Sequence, residues 1–328
     1  MNERELLARL AAGPASGAEL AREAGQTRAA VWKHIEALRA AGVGIVVRPG
    51  RGYALARPVS LLDPEAIRAA LSPAARRGLA ALEVAWSIDS TNSALLARET
   101  PARGADVLLA ERQTGGRGRR GRAWASPLAA NIYLSLARRF GGGLSRLAGL
   151  SLVAGVAAAD ALHDLGFGGV RVKWPNDLVV ADAGGGLRKL GGLLVEGGGE
   201  GGGPARAVVG LGLNVAMPAA HAAAIDQPWT DLATLAGGAP PSRNAVAAAV
   251  LERWLPAFDA FDAGGLAPFL PRYARVDALD GRAVRVHAAD GVRDGTALGL
   301  GADGALQVRD ARGEVFAVHA GDVSVRAA

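Results

Sequence analysis

Cysteine is absent from the 328 residues, which excludes disulfides, thiolate metal sites and a cysteine nucleophile, and fits a reducing compartment. The five histidines fall at no spacing typical of a metal site. No apolar run approaches the roughly 20 residues of a membrane span, and Met1-Asn2-Glu3-Arg4-Glu5 is acidic and helical where a signal peptide is basic and then apolar. A soluble cytoplasmic protein with no membrane partner is the expectation. Lysine is nearly absent: of 37 basic residues three are lysines, Lys33, Lys173 and Lys189. In a chain that otherwise uses arginine, a compact ammonium suits a single oxygen at a reacting centre, with incidental surface lysines as the alternative. The net charge of +6 fits nucleic acid or nucleotide, although a general excess of arginine gives the same figure.

The length allows two or three domains. Residues 1–60 read as a winged helix-turn-helix. Leu6, Leu7 and Leu10 form one apolar stripe; Ser16 with Glu19 is a capping box opening a second helix that stops at Gly25; a third opens at Thr27, buries Val31, Ile35 and Leu38, and ends at Gly42. Arg28, Trp32 and Arg39, with Lys33 beside them, are expected on its other face. Two short strands follow, 44–47 and 53–55, around a turn containing Arg51. A helix of this kind fits the major groove, so Gln26, Thr27, Arg28, Lys33 and Arg51 are the expected DNA contacts; a small docking module is the alternative. Residues 61–80 read as a mostly helical linker. From 81 to 270, strands around few helices, one of them long (about 144–165), imply an α+β domain with a mixed or antiparallel sheet. Residues 271–328 alternate Val284, Val286, Leu298, Leu300, Leu306, Val308, Val315, Val318, Val323 and Val325, as a small SH3-like β-barrel would.

Three segments of the central domain carry chemistry. Ser90, Thr91 and Asn92 exceed what a helix cap requires and suit a neutral polar ligand. After a strand comes Gln113-Thr114-Gly115-Gly116-Arg117-Gly118-Arg119-Arg120-Gly121-Arg122, whose glycines expose backbone N–H groups and whose guanidinium groups match phosphate oxygens; a solvated basic loop is the alternative. Its formal G-x-G-x-x-G is not a dinucleotide fingerprint, because Trp124, Pro127 and a strand follow where a helix is required. The third is Lys173-Trp174-Pro175-Asn176-Asp177, with Lys189-Leu190-Gly191-Gly192 in the next strand. An Asp beside a phosphate site invites Mg²⁺.

In this order these motifs resemble those of the biotin protein ligases, over nearly the whole chain and most closely the bifunctional ligase and biotin-operon repressor type. The resemblance implies ATP-dependent formation of biotinyl-5′-adenylate and transfer to a lysine of the biotin carboxyl carrier protein of acetyl-CoA carboxylase. It places Ser90, Thr91, Asn92, Gln113, Arg117, Gly118, Arg119 and Lys189 at biotin, and Lys173, Asn176, Asn214 and Trp229 at the nucleotide. Lys189, Arg117, Arg119 and Lys173 become the catalytic group. It also implies ATP with Mg²⁺, biotin operator DNA and a homodimer when adenylate is bound. A biotin-sensing transcription factor without ligase activity and a lipoate ligase are the other readings. Glycine runs at 184–186 and 197–203, the second interrupted only by Glu200, depart from the family and lengthen two hairpin turns.

Overall fold

The computed structural model describes all residues except 199–203, 289–290, 321–323 and 328. At the front, α1 (Glu3–Ala11), α2 (Gly17–Ala24) and α3 (Arg28–Ala40) precede the hairpin β1 (Ile45–Arg48) and β2 (Gly52–Leu55). Ser16 and Glu19 form the reciprocal cap, Thr27 caps α3, and Gly25 ends α2 at φ 60° in the left-handed region that glycine adopts without strain. Leu6, Leu7, Leu10, Val31, Ile35 and Leu38 make the core. Arg39 is not offered to a ligand, because its guanidinium bonds the Ile45 carbonyl and Glu36.

The segment expected as a linker is packed. Helices α4 (Pro64–Ala70) and α5 (Pro73–Arg77) bury Ile67 and Ala75 in the larger core. Then come β3 (Leu79–Ala85), α6 (Thr91–Leu96), β4 (Ala105–Ala110), β5 (Ile132–Phe140), α7 (Leu150–Asp164), β6 (Val170–Lys173), β7 (Asp177–Ala181), β8 (Leu187–Gly198) and β9 (Ala205–Leu213). The sheet order is β3-β4-β5-β9-β8-β7-β6, with β3 and β4 parallel and all other pairs antiparallel. The expected mixed sheet is therefore present. The long helix divides at Gly149 into a 3₁₀ turn and α7. The stretch 144–164 alone among the described helices is long and apolar enough to cross a membrane, yet α7 is buried almost all round because it lies between the sheet and a second helix. Of the two glycine runs, 184–186 is held by the Asp182 carboxylate, which accepts from the N–H groups of Gly184 and Gly186. Residues 199–203 of the second lie outside the described residues.

The short helices α8 (Ala219–Ala222) and α9 (Leu232–Leu235) lead to α10 (Arg243–Gly264), whose Trp254 donates to the Ala154 carbonyl of α7 at 3.0 Å. After α11 (Leu270–Val276), the strands β10 (Ala283–Ala288), β11 (Gly291–Leu300), β12 (Leu306–Arg309), β13 (Val315–Val318) and β14 (Ser324–Ala327) form an antiparallel sheet ordered β13-β12-β11-β10-β14. Val323 of the expected alternation lies outside the described residues. Val284, Val286, Leu306 and Val308 join the central core, and Trp174 donates to the Gly304 carbonyl, so this sheet is fastened to the central body.

A buried ion pair and a buried carboxyl inside this body have energetic consequences. Arg243 and Glu111 pair at 2.7 Å with side chains only 4% and 3% exposed. Glu111 also accepts from the Leu62 N–H, and Arg243 also donates to the Asn131 and Ser60 carbonyls, which pins the segment before α4. Glu111→Ala would leave a buried guanidinium without its counter-ion and is expected to cost about 3–5 kcal/mol, read as a lower urea midpoint at unchanged slope. Asp277, where α11 turns toward the last sheet, accepts from Leu279 N–H at 2.8 Å and from the Tyr273 hydroxyl, while its other oxygen is buried without a partner. Burial, with Asp280 nearby, pushes this carboxyl up to about 6. The folded state thus favours the protonated acid, so its contribution is present at low pH and is lost as pH rises through about 6. Relative to Asp277→Asn, the parent should lose about 3 kcal/mol between pH 4 and pH 7.5, two pH units at about 1.4 kcal/mol each; a pH-independent difference in unfolding free energy would contradict this.

Candidate active site

The sheet brings the three segments together. Ser90 caps α6 by accepting from Ser93 N–H, and Thr91 and Asn92 are buried in the first turn of that helix. Thr91 donates to the Gln113 side-chain oxygen from its backbone N–H at 2.9 Å and from its hydroxyl at 3.1 Å, and it accepts from Ser135 at 2.7 Å. Ser135 is also within 2.6 Å of the Asn92 side-chain oxygen, while the Asn92 amide donates to Glu196 at 2.8 Å and to the Leu194 carbonyl. Gln113 reaches Ser126 at 3.4 Å. Three residues expected at one ligand, Thr91, Asn92 and Gln113, are therefore one hydrogen-bonded network, joined by Ser135 of β5 and Glu196 of β8, which the motifs did not indicate.

The arginine loop is divided between two neighbours. Arg117 places its guanidinium on Glu196, at 3.0 and 3.2 Å, and on the Ser93 hydroxyl at 2.6 Å. Arg119 instead points to Asn176, at 3.4 Å from its side-chain oxygen. Arg120 and Gly121 both take positive φ, 57° and 68°, which turns the tip of the loop sharply. The loop folds back on itself, with Trp124 N–H donating to the Gly116 carbonyl.

Lys189 lies where these pieces meet. Its ammonium is 2.7 Å from Asp177 and lies 5.5 Å from the centre of the Trp124 ring. Its backbone is paired on the other side, donating to the Pro228 carbonyl and accepting from Thr230 N–H, which brings Trp229 alongside. Asn214 is 3% exposed and donates to the Thr230 carbonyl, so it orders this same 228–230 segment. Asn176 donates to the Leu193 carbonyl at 2.7 Å, fixing the start of β7 against β8. Lys173 ends β6, and it is partly exposed. The Trp124 indole N–H is buried with no partner, and a buried donor left so calls for an acceptor from elsewhere. Gly210 and Gly212 of β9 make the space: a Cβ on the first would collide with the Asn92 amide, and one on the second with the Trp124 ring.

The arrangement combines fixed cations, an unpaired donor and a lining of neutral polar groups. Among the described residues no three carboxylate, imidazole or thiol groups gather to hold a metal.

Comparison with other proteins agrees with this geometry. Residues 84–214 match the biotin/lipoate A/B protein ligase family, and residues 2–54 match an HTH domain. The biotin protein ligase from Aquifex aeolicus in complex with biotin and ATP has 25% sequence identity and a TM-score of 0.63, over 76% of this chain and 100% of that one. The biotin--[acetyl-CoA-carboxylase] ligase of Mycobacterium tuberculosis is 39% identical over 58% of this chain and 68% of its own length. The bifunctional ligase/repressor BirA of Escherichia coli (strain K12) is 39% identical over 99% of this chain and 97% of its own. With likeness at that level from end to end, the chain belongs to the family of bifunctional BirA-type biotin ligase/repressors.

Proposed function

We propose that the chain makes biotinyl-5′-adenylate from biotin and ATP and transfers the biotinyl group to a lysine of the biotin carboxyl carrier protein of acetyl-CoA carboxylase. The observation that supports it most is the position of Lys189, between the Asp177 carboxylate, the Trp124 ring and the 228–230 segment. Biotin's carboxylate oxygen attacks the α-phosphorus of ATP, and the bond to pyrophosphate breaks. The carrier amine then attacks the acyl carbon, and AMP leaves. No protein nucleophile is required, so the enzyme supplies alignment and positive charge. Ser90, Thr91, Asn92, Gln113 and Gly118 line the neutral end of biotin in this reading. Lys173, Asn176, Asn214 and Trp229 face the nucleotide and Lys189 faces the forming acyl phosphate; Arg119, expected at biotin, is assigned with the nucleotide group instead because its guanidinium lies on Asn176. Arg117 acts at one remove, holding the loop through Glu196 and Ser93. Mg²⁺ brought by the nucleotide would neutralise phosphate charge, and the lack of a protein metal cluster among the described residues suits a cation held mainly by phosphates and water, with Asp177 as the carboxylate that would hold it.

The front domain binds operator DNA in the same proposal, as a dimer when adenylate is present. Arg28 and Lys33 on α3 and Arg51 on the wing are exposed. Thr27 caps the helix that carries them, and Gln26 turns its side-chain oxygen inward, where it is buried.

Incubation of a carrier domain with ATP and either biotin or lipoate, followed by intact-mass measurement, should give modification with biotin alone; modification with lipoate instead overturns the substrate. Lys189→Ala is expected to slow biotin-dependent pyrophosphate release about 10²–10³-fold with the circular dichroism spectrum retained. Glu196→Ala, which releases both Arg117 and Asn92, should raise the KM for biotin about tenfold and change kcat less. An unchanged KM would remove Glu196 from the binding network.

A further inference from the structure

Trp32 has no role in ligation, yet it is 54% exposed, which is unusual for the largest apolar side chain. It lies on α3 one turn after Arg28 and next to Lys33, and all three are exposed, whereas Val31, Ile35 and Leu38 of the same helix are buried. Nothing in the core requires the ring there. In the hairpin that follows α3, Val47 is 66% exposed, and Arg48 and Arg51 are exposed as well. On α3 an apolar ring thus stands between two cations, which suits the bases of a duplex flanked by its phosphates.

We propose that Trp32 is a specificity-determining residue that packs its indole on the C5-methyl of a thymine in the major groove, a step that rests on the DNA-binding reading above. In that groove the thymine methyl is the apolar feature among the base edges; the other groups there are hydrogen-bond donors and acceptors. An indole accepts no hydrogen bond, so it cannot satisfy the amino groups of adenine or cytosine, and its broad face is matched by the methyl. Arg28 and Lys33 on either side reach phosphates and fix the register of the helix.

The test uses the full chain with biotin and ATP, selecting duplexes from a random DNA library. The selected duplex is then remade with each thymine in turn replaced by deoxyuridine, which removes only the methyl. One thymine per half-site should weaken binding about fourfold when so replaced. Trp32→Phe should keep most of that discrimination, and Trp32→Ala, with helical circular dichroism unchanged, should lose it. A selected duplex indifferent to every such replacement, or discrimination that persists in Trp32→Ala, overturns the role of Trp32 and leaves DNA binding standing. Failure to enrich any duplex overturns the DNA-binding reading and this inference with it.

Discussion

The ion pair between Lys189 and Asp177 organises the centre of the molecule. A cation at 2.7 Å from a carboxylate on the neighbouring strand is held in place without being buried beyond reach, since both side chains remain about one-fifth exposed. Such a pair contributes little to stability by itself. Its value is geometric, because the ammonium is directed to one position while β8 continues past it to Glu196, which holds Arg117 and Asn92 in the same way. One strand therefore carries both a cation held by Asp177 and an anion that fixes Arg117.

Close approach at this site depends on small residues in the neighbouring strand. Gly210 and Gly212 of β9 receive the Asn92 amide and the Trp124 ring. A methyl group at either position would push its neighbour out of the network, so these glycines serve packing where they are not needed for a turn. That explains why a strand interior, where glycine is ordinarily unfavourable, contains them.

Local features were legible in the sequence. The capping box at Ser16 and Glu19, the stop at Gly25 and the cap at Thr27 involve partners three or four residues apart, and each is realised. The scarcity of lysine singled out Lys33, Lys173 and Lys189, and the fold sets Trp229 beside the last of these, with Asn214 bonded to the Thr230 carbonyl next to it. Ser135 and Glu196 were not legible, because their partners lie 43 and 79 residues away and meet only through the strand order β5-β9-β8. For the same reason α4 and α5 read as a linker: short, alanine-rich helices carry too weak a periodicity to reveal that Ile67 and Ala75 enter the core. Arg39 was misplaced because helical spacing says which face a side chain starts from, and a long side chain can still fold back to a carbonyl such as that of Ile45.

The chain between Glu111 and Ala129 connects the site to the front domain, and its two ends differ from its tip. Ala129 donates to the Glu111 carbonyl, Glu111 is locked to Arg243, and Leu128 donates to the Ala41 carbonyl while its side chain enters the core of the front domain. His221 and Pro127 lie so near Gly42 that a Cβ there would sit 2.7 and 2.9 Å from them, and burial lowers the pKa of that imidazole. The ends are thus dry and tightly packed, whereas Gly115 and Arg120 to Arg122 at the tip are exposed. A change in the tip meets few contacts to break, while a change at the ends would break the buried pair and the interdomain seam together. The front domain is therefore seated on the buried ends of this excursion, whereas Arg117 and Arg119, between those ends and the exposed tip, are held by Glu196, Ser93 and Asn176.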